Sequence, residues 1–282
     1  MSETHERTAV IDRYAVMGYP VSHSRSPVIH RLFAVQTGQN LHYELLEVAP
    51  DKLQSAVRQF GETGGKGLNV TVPHKSAVTR FVDDMSERAS TAGAINTLVF
   101  KDEEIFGDNT DGVGLLRDLE SNLELDLEGA NILILGAGGS TRGILTPLLE
   151  AKPASIVIAN RTVDKAMALA DKFSSQGPVT ASSFKNLRTP PDFDLVINAT
   201  SAGVKGEMPP FPEQAIGGNT VCYDLSYSMR TTPFADWAKK QGAAKSVMGW
   251  GMLIEQAAES FFIWRGVRPD TAQVLKQIAV KA

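Results

Sequence analysis

The sequence has few of the features that mark secreted, membrane-embedded or nucleic-acid-binding proteins. It contains one cysteine, which excludes an internal disulfide, so we expect a reducing, cytoplasmic setting. No apolar run reaches membrane-spanning length, and the polar start MSETHERTAV lacks the apolar core of a signal peptide. The formal net charge of −4 gives no basic excess that would attract nucleic acid or an anionic membrane. We therefore expect a globular protein with neither nucleic-acid nor membrane partners.

Length and composition predict two domains. Hydrophobic residues make up 43% and charged residues 21% of the 282 residues, which is usual for globular proteins. From Arg13 onward, strand-like and helix-like segments alternate with short connections, a pattern typical of an α/β fold with mostly parallel strands. We predict a disordered tail over residues 1–12, a first α/β unit over 13–112, a second over 113–248, and C-terminal helices over 249–282 that pack back on the first unit.

Hydrophobic periodicity places the individual elements. The elements expected in the first unit are strands over 14–18, 43–48, 67–72, 94–101 and 103–106, the last two paired, and helices over 28–37, 50–63 and 75–92, the last broken near Asp83. A helix over 110–122 joins the two units. The elements expected beyond it are strands over 131–135, 155–159, 194–198, 220–225 and 245–248, helices over 140–150, 163–174 and 233–241, and terminal helices around a turn at Gly266.

The segment NILILGAGGSTRG, from Asn131 to Gly143, carries the most specific local motif. An apolar strand runs into a glycine-rich turn, and a helical pattern follows. Such glycines permit a tight turn and let backbone N–H groups approach a pyrophosphate at the positive end of the helix. Thr141 stands where the strict G-x-G-x-x-G pattern has its third glycine, and with Ser140 it adds hydroxyls that could bond phosphate oxygens. This context predicts a Rossmann-like dinucleotide site.

The next strand indicates which dinucleotide is bound. It ends at Asn160-Arg161-Thr162, where an NAD site would carry an acidic residue for the ribose 2′-hydroxyl. An arginine suits the 2′-phosphate of NADP, and Lys165 could add positive charge or simply be a solvated helix residue. Strand, glycine turn, helix and arginine together favour an NADP-binding site over a strand-to-helix connection that binds no ligand.

Polar residues of the first unit collect at the ends of its predicted strands. Hydroxyl, amide and carboxylate groups there suit a polyhydroxylated ligand, because open α/β sheets bind ligands beyond the carboxyl ends of their strands. Lys75 could deliver the proton that reduction of a carbonyl requires, with Asp111 fixing its ammonium group. Solvated roles for these two residues, and helix-capping roles for Ser24 and Ser26, stay open on residue type alone. The residues in these positions are Ser22, His23, Ser24, Ser26, Thr71, Pro73, Lys75, Asn96, Asn109, Thr110 and Asp111.

A series of segments, in order and at compatible spacing, resembles the shikimate dehydrogenase family. Together they cover about residues 13 to 270. The segments are GYPVSHSRSPVIH (18–30), NVTVPHK (69–75), AGAINT (92–97), GDNTDG (107–112), GAGGSTRG (136–143), NRT (160–162), NATSAG (198–203), DLSY (224–227) and GWGMLIEQAAESFFIW (249–264).

The resemblance implies NADP-dependent, reversible reduction of 3-dehydroshikimate to shikimate, in chorismate and aromatic amino-acid biosynthesis. It implies that Lys75 is the proton donor or acceptor and that Asp111 is its catalytic partner. The substrate residues that it implies are Ser24, Ser26, Thr71, Asn96, Asp111, Tyr227 and Gln256. The cofactor residues, with Lys165 added from its position, are Gly136, Ala137, Gly138, Gly139, Ser140, Thr141, Asn160, Arg161, Thr162, Lys165, Leu225 and Gly249.

The sequence departs from the usual pattern of this family at a few positions. His74 replaces a common Phe, Ser140-Thr141 a commoner Ala-containing pair, and Leu225 a frequent Met. His74 could titrate beside Lys75, or replace a packing ring that faces away from it. No histidine has metal-ligand spacing, so no metal is expected.

Two other functions stay open. One is a quinate/shikimate dehydrogenase of broad cofactor use, and the other is a non-catalytic NADP-binding regulator. Arg161 argues against NAD, and the presence of both Lys75 and Asp111 argues against a regulator. A monomer and a homodimer are both compatible with the sequence.

Overall fold

The computed structural model describes residues 11–187, 193–200 and 211–279, which form two six-stranded sheets with their helices. The elements of the first part are β1 (Asp12–Gly18), α1 (Ser26–Thr37), β2 (Leu41–Glu47), α2 (Leu53–Glu62), β3 (Gly65–Val70), β4 (Asp84–Met85), α3 (Glu87–Ala92), β5 (Thr97–Lys101), β6 (Glu104–Asp108) and α4 (Asp111–Arg117). Those of the second part are β7 (Asn131–Leu135), α5 (Gly139–Glu150), β8 (Ser155–Asn160), α6 (Val163–Phe173), β9 (Val179–Ser183), β10 (Leu195–Asn198), β11 (Val221–Asp224), α7 (Pro233–Lys240), β12 (Lys245–Met248), α8 (Trp250–Arg265) and α9 (Thr271–Ala279).

The first sheet is mixed, with the strand order β2-β1-β3-β5-β6-β4. Strand β1 is parallel to β2 and β3, whereas β5 runs antiparallel to both of its neighbours. The antiparallel pairing of β5 with β6 comes from a two-residue hairpin, in which Asp102 and Glu103 both have positive φ. This geometry matches the right-handed twist of paired strands. The mostly parallel sheet and the paired strands predicted for this unit are both present.

The second sheet is entirely parallel, with the order β12-β11-β10-β7-β8-β9. Its strand order reverses at β7, which is the arrangement of a Rossmann-like fold. Alternate side chains of β7 enter two apolar clusters: Ile132 and Ile134 pack in one, Leu133 and Leu135 in the other. Helices therefore cover both faces, and the carboxyl end of β7 is left to the glycine turn. The predicted Rossmann-like unit is confirmed.

The C-terminal helices pack back on the first part of the chain, as predicted. Ile254 and Phe261 of α8 and Val274 of α9 share an apolar cluster with Ile29 and Phe33 of α1. The chain passes from the first sheet to the second through α4, which lies against α8, and a π-helical turn over Asp118–Asn122. The two sheets are thus held together by helices that cross between them.

The helix predicted over residues 75–92 is wrong in its first half, although the predicted break near Asp83 is present. Val78–Phe81 form a 3₁₀ turn, β4 pairs with β6, and only α3 is α-helical. Ser86 begins α3 by accepting a hydrogen bond from the Ala89 amide, and it also donates to Asp108 beside the sheet edge. Pairing with β6 therefore outweighs the local helical propensity, since tertiary contacts routinely override such preferences.

Two further differences concern the ends and edges. Strand β9 was not predicted, because its sequence VTASS at the sheet edge lacks an apolar run. Asp12, assigned to the tail by its polarity, already pairs within β1. The remainder of the predicted tail before Ile11, and parts of the NATSAG and proline-rich segments, lie outside the described residues.

Candidate active site

Lys75 and Asp111 form an ion pair at the carboxyl edge of the first sheet. Lys75 follows β3, and Asp111 is the first residue of α4. Their Nζ and Oδ2 atoms are 2.6 Å apart, and the side chains are 21% and 6% exposed, respectively. A charge-assisted hydrogen bond to a buried carboxylate fixes the lysine, while its partial exposure leaves the ammonium group reachable from the cleft. The pair therefore places a proton donor at a defined point.

Asn96 holds the other oxygen of Asp111. Its Nδ2 atom lies 2.8 Å from Asp111 Oδ1 and 3.3 Å from Gln256 Oε1 on α8. Its Oδ1 atom accepts a hydrogen bond from the Thr110 amide at 2.9 Å. The Asp111 amide in turn donates to Asn109 Oδ1. Because both carboxylate oxygens are bonded, the plane of the carboxylate and the direction of Lys75 are fixed before any substrate binds.

A second layer of buried polar residues lies behind Asn96, and the sequence analysis did not identify it. Asn69 Nδ2 is 3.0 Å from Ser260 Oγ, and Thr97 Oγ1 is 2.8 Å from the same oxygen. Thr97 also donates to Asn96 Oδ1 at 2.9 Å, and Tyr43 donates to Asn69 Oδ1 at 2.7 Å. The one sequence signal for this layer is that its members lie inside the family motifs quoted above: Asn69, Thr97 and Ser260.

Three hydroxyl groups meet beside the start of α1. Ser24 Oγ is 3.2 Å from Ser26 Oγ and accepts a hydrogen bond from the Ser26 amide at 3.3 Å. Tyr227, which follows β11 of the second sheet, is hydrogen-bonded to the backbone of Arg25, and burial raises the pKa of its phenol. The N-cap of α1 is Arg25 and the helix has no side-chain cap hydrogen bond, so neither serine caps it; the bond of Ser24 is a local turn before the helix. The arrangement also brings residues of both sheets to one point.

The remaining substrate candidates lie around the Lys75–Asp111 pair. Thr71 is half-buried between β3 and Lys75, and its amide donates to the Met17 carbonyl at 2.9 Å. Gln256 is oriented by a 2.7 Å hydrogen bond from its Nε2 atom to the Leu253 carbonyl. The structure thus groups Lys75, Asn96, Asp111 and Gln256 directly by hydrogen bonds.

The glycine turn leaves backbone donors open at the start of α5. Gly136 has φ of +110°, a conformation that favours glycine, and a Cβ there would lie 3.1 Å from the Ala199 backbone. A Cβ on Gly138 would meet nothing within 4 Å, and α5 has neither a side-chain cap nor an acidic residue in its first turn. The residues therefore fit a diphosphate, which such a helix start binds through its N–H groups.

The hydroxyl of Thr141 does not fit the expectation that it bonds phosphate. The side chain is buried, and Oγ1 donates to the Gly136 carbonyl at 2.9 Å. The hydroxyl group therefore donates within the turn and stabilises its bend, at the position where the strict motif has its third glycine. Ser140 is half-buried next to it.

Cationic side chains gather at the carboxyl end of β8. Asn160 Nδ2 donates to the Thr162 carbonyl at 2.8 Å, which closes the turn that presents Arg161. Arg161 and Lys165 are exposed, and neither pairs with a carboxylate within the described ranges. Two unpaired cations at this edge suit the 2′-phosphate of NADP.

Leu225 and Gly249 lie side by side at the ends of β11 and β12. A Cβ on Gly249 would approach the Leu225 carbonyl oxygen to 2.6 Å, so only glycine allows this contact. Between the two sheets, Gly112 of α4 packs on α5, since a Cβ there would lie 2.5 Å from the Gly143 carbonyl oxygen. The helix that follows the glycine turn therefore lies directly against the Lys75–Asp111 pair.

Three other expectations from the sequence concern His74, metal ions and membrane spans. His74 is buried, with Nε2 2.7 Å from the Val48 carbonyl oxygen, which fits the interpretation that it replaces a packing ring. In the part of the chain that the structure describes, no group of three or more His, Cys, Asp or Glu residues could hold a metal ion. None of the helices described combines the length and apolar character that crossing a bilayer requires.

Family models match this chain in three consecutive regions. Residues 16–98 match the shikimate dehydrogenase substrate binding domain, and residues 118–205 match shikimate / quinate 5-dehydrogenase. Residues 249–279 match the shikimate 5′-dehydrogenase C-terminal domain. These regions contain most of the candidate residues, including Lys75, the glycine turn and Gln256, whereas Asp111, Leu225 and Tyr227 lie between them.

Individual relatives cover nearly the whole chain. Shikimate dehydrogenase (NADP(+)) of Alkalilimnicola ehrlichii is 52% identical over 94% of this chain and 97% of its own. The crystal structure of an Ael1 enzyme from Pseudomonas putida has a TM-score of 0.87 at 45% identity, covering 94% of this chain and 97% of that one. Shikimate 5-dehydrogenase from Thermus thermophilus, solved in complex with NADP(H) and shikimate, has a TM-score of 0.85 at 31% identity and covers 96% and 100%. The chain therefore belongs to the shikimate dehydrogenase family.

Proposed function

We propose that this chain catalyses the reversible reduction of 3-dehydroshikimate to shikimate with NADPH, in the pathway to chorismate. The observation that carries the proposal is the 2.6 Å ion pair between Lys75 and Asp111, placed against the helix that begins at the glycine turn. A regulator without catalysis would not need a reachable proton donor at that position. The names of the relatives support the same reaction.

Lys75 acts as the general acid. When the ketone is reduced, its oxygen gains negative charge, and the Lys75 ammonium donates a proton to it; in the reverse direction the amine accepts that proton. Asp111 keeps the ammonium group in place, and Asn96 keeps Asp111 in place through its other oxygen. NADPH supplies the hydride when it is bound. A lysine that is already held loses little entropy on reaching the transition state.

The polar groups around the pair recognise the substrate ring. Ser24, Ser26 and Tyr227 offer three hydroxyl groups for the substrate carboxylate, while Thr71, Asn96, Asp111 and Gln256 face its hydroxyl side. Tyr227 comes from the second sheet and bonds the backbone of Arg25, which supports a proposed closure of the two units over the substrate carboxylate. Closure of this kind excludes water and orients the reacting groups.

The cofactor residues divide into two groups. Backbone groups of Gly136 to Ser140 would hold the diphosphate, and Asn160, Arg161, Thr162 and Lys165 the adenosine 2′-phosphate, with Leu225 and Gly249 beside the nicotinamide. The unpaired charges of Arg161 and Lys165 favour NADP over NAD, because they would otherwise face no anion. A cytoplasmic location is part of the proposal, and a monomer and a homodimer are both compatible with it.

The test is nicotinamide absorbance during oxidation of shikimate and of quinate, each with NADP and with NAD. Fast turnover with shikimate and NADP alone is the expected result. Comparable rates with quinate or NAD would instead indicate a quinate/shikimate dehydrogenase of broad cofactor use. No turnover with any pair, in a chain that binds NADPH, would contradict the proposal and favour a regulator.

A further inference from the structure

Arg142 crosses from the second sheet's helices to the first sheet's loops. It lies in the first turn of α5, directly after the glycine turn, and its Nη2 atom donates a 3.1 Å hydrogen bond to Ser76 Oγ. Ser76 follows Lys75 in the chain. A side chain next to the proposed diphosphate site is therefore bonded to the segment that carries the proposed general acid.

The guanidinium group lies beside the start of α5. A Cβ built on Gly139 would be 3.9 Å from Arg142 Nη2 and 3.8 Å from Ser76 Oγ. Arg142 Nε is buried and has no hydrogen-bond partner among the described residues, and no carboxylate there pairs with the guanidinium. A guanidinium at an uncapped helix start, half-buried and with its buried Nε–H donor unused, fits a phosphate oxygen, because guanidinium and phosphate match in charge and geometry.

We propose that Arg142 is a positioning residue that binds the dinucleotide's diphosphate with one part of its guanidinium and holds the Lys75 segment, through Ser76, with another. This inference rests on the proposed use of NADPH. The far side of the segment is already fixed, since the Ile95 amide donates to the Lys75 carbonyl at 2.8 Å. The bond from Arg142 fixes the near side, so cofactor binding and the position of Lys75 are coupled.

The decisive experiment compares two ligands by fluorescence titration, without turnover. Arg142→Ala should raise the Kd of NADPH about 10- to 100-fold, the range for a hydrogen bond to a charged group. The Kd of adenosine 2′-monophosphate, which has no diphosphate, should stay within about twofold of its wild-type value. Arg142→Lys keeps the charge but lacks the planar fork, so it should recover NADPH affinity more completely than kcat.

Two further variants separate the proposed diphosphate contact of Arg142 from its bond to the Lys75 segment. Ser76→Ala removes only the bond to the Lys75 segment, so it should lower kcat about two- to tenfold and leave the Kd of NADPH unchanged. Lys172→Ala is the matched control, because Lys172 Nζ also bonds across the two units, to the Thr91 carbonyl at 2.6 Å, but away from Lys75. It should change neither the Kd nor kcat.

Several outcomes would overturn the inference. In Arg142→Ala, an unchanged Kd for NADPH, or an equal loss of both ligands, would show that Arg142 does not contact the diphosphate. An unchanged kcat in Ser76→Ala would show that the bond does not position Lys75. A wild-type chain that binds NADPH but does not oxidise shikimate would contradict the proposed function alone, since the two Kd values would still decide the diphosphate contact.

Discussion

The proposed substrate side and the proposed cofactor side of the site use different kinds of hydrogen-bonding groups. On the substrate side, the side chains of Lys75, Asn96 and Asp111 are already bonded to one another. On the cofactor side, the donors are backbone groups at the start of α5 and the unpaired cations Arg161 and Lys165. The substrate side therefore fixes one geometry in advance, while the cofactor side keeps its donors available for the anionic groups of a dinucleotide.

This difference reflects the charge of the proposed ligands. A proton donor must point at one carbonyl oxygen, which requires a network that fixes its direction. Phosphate groups carry their own charge and accept many donor geometries, so a helix start and exposed cations suffice. Substitutions on the substrate side should accordingly change kcat, whereas substitutions on the cofactor side should change Kd.

The largest effect is expected for Lys75→Ala. Loss of the general acid should lower kcat about 10²- to 10⁴-fold while the Kd of NADPH stays close to wild type. Lys101→Ala, which removes an exposed lysine of β5, is the control and should leave both values unchanged. Unchanged turnover in Lys75→Ala would remove this residue from the mechanism.

Arg161→Ala should act on the other side of the comparison. Without the cation opposite the 2′-phosphate, the Kd of NADPH should rise about 10- to 100-fold, and that of NADH should not change. Titration with both cofactors measures this, with Arg58→Ala on α2 as the control for loss of an exposed arginine. An equal loss of NADPH and NADH affinity would argue against a 2′-phosphate contact.

Gly136→Ala tests the backbone part of the cofactor side. The residue has positive φ and a Cβ there would press on the Ala199 backbone, so the variant should lose about 1–3 kcal/mol of folding stability. The Kd of NADPH should rise with it. Gly218→Ala, where a Cβ would meet nothing within 4 Å, is the control, and equal stability of the two variants in urea would contradict the argument.

The last prediction concerns stability alone, at His30 behind the substrate side, with no change expected in kcat or in the Kd of NADPH. Its imidazole is fully buried against aromatic rings, and burial lowers the pKa of the ring to about 3. The unfolded chain takes up this proton near pH 6.5, so the free energy of unfolding should fall on acidification between those values, by up to about 1.4 kcal/mol per pH unit.

His30→Phe keeps an aromatic ring against Tyr43, on which His30 stacks at 4.1 Å, and removes the titration. Its free energy of unfolding should therefore change less steeply with pH, because the unfolded variant takes up one proton fewer than the unfolded wild type. Identical slopes for wild type and His30→Phe would show that His30 does not contribute to acid sensitivity.

Much of the fold followed from local pattern, because buried parallel strands and amphipathic helices leave strong periodic signals. The elements that were missed lack such signals. Strand β9 is a polar edge strand, and β4 forms only because Asp84 and Met85 meet β6. Thr141 was assigned a free hydroxyl, since nothing in its sequence context indicates that it bonds back to Gly136.

The sequence by itself determined the Rossmann-like glycine turn, the preference for NADP and the candidate residues, since those depend on residue type and spacing along the chain. Only the tertiary structure decided that Lys75 and Asp111 form one bonded pair, and that Asn69, Thr97 and Ser260 support it. It also revealed the contact of Arg142 with Ser76. The physical reason is that hydrogen bonds between distant segments depend on how the two sheets are packed, which no local pattern records.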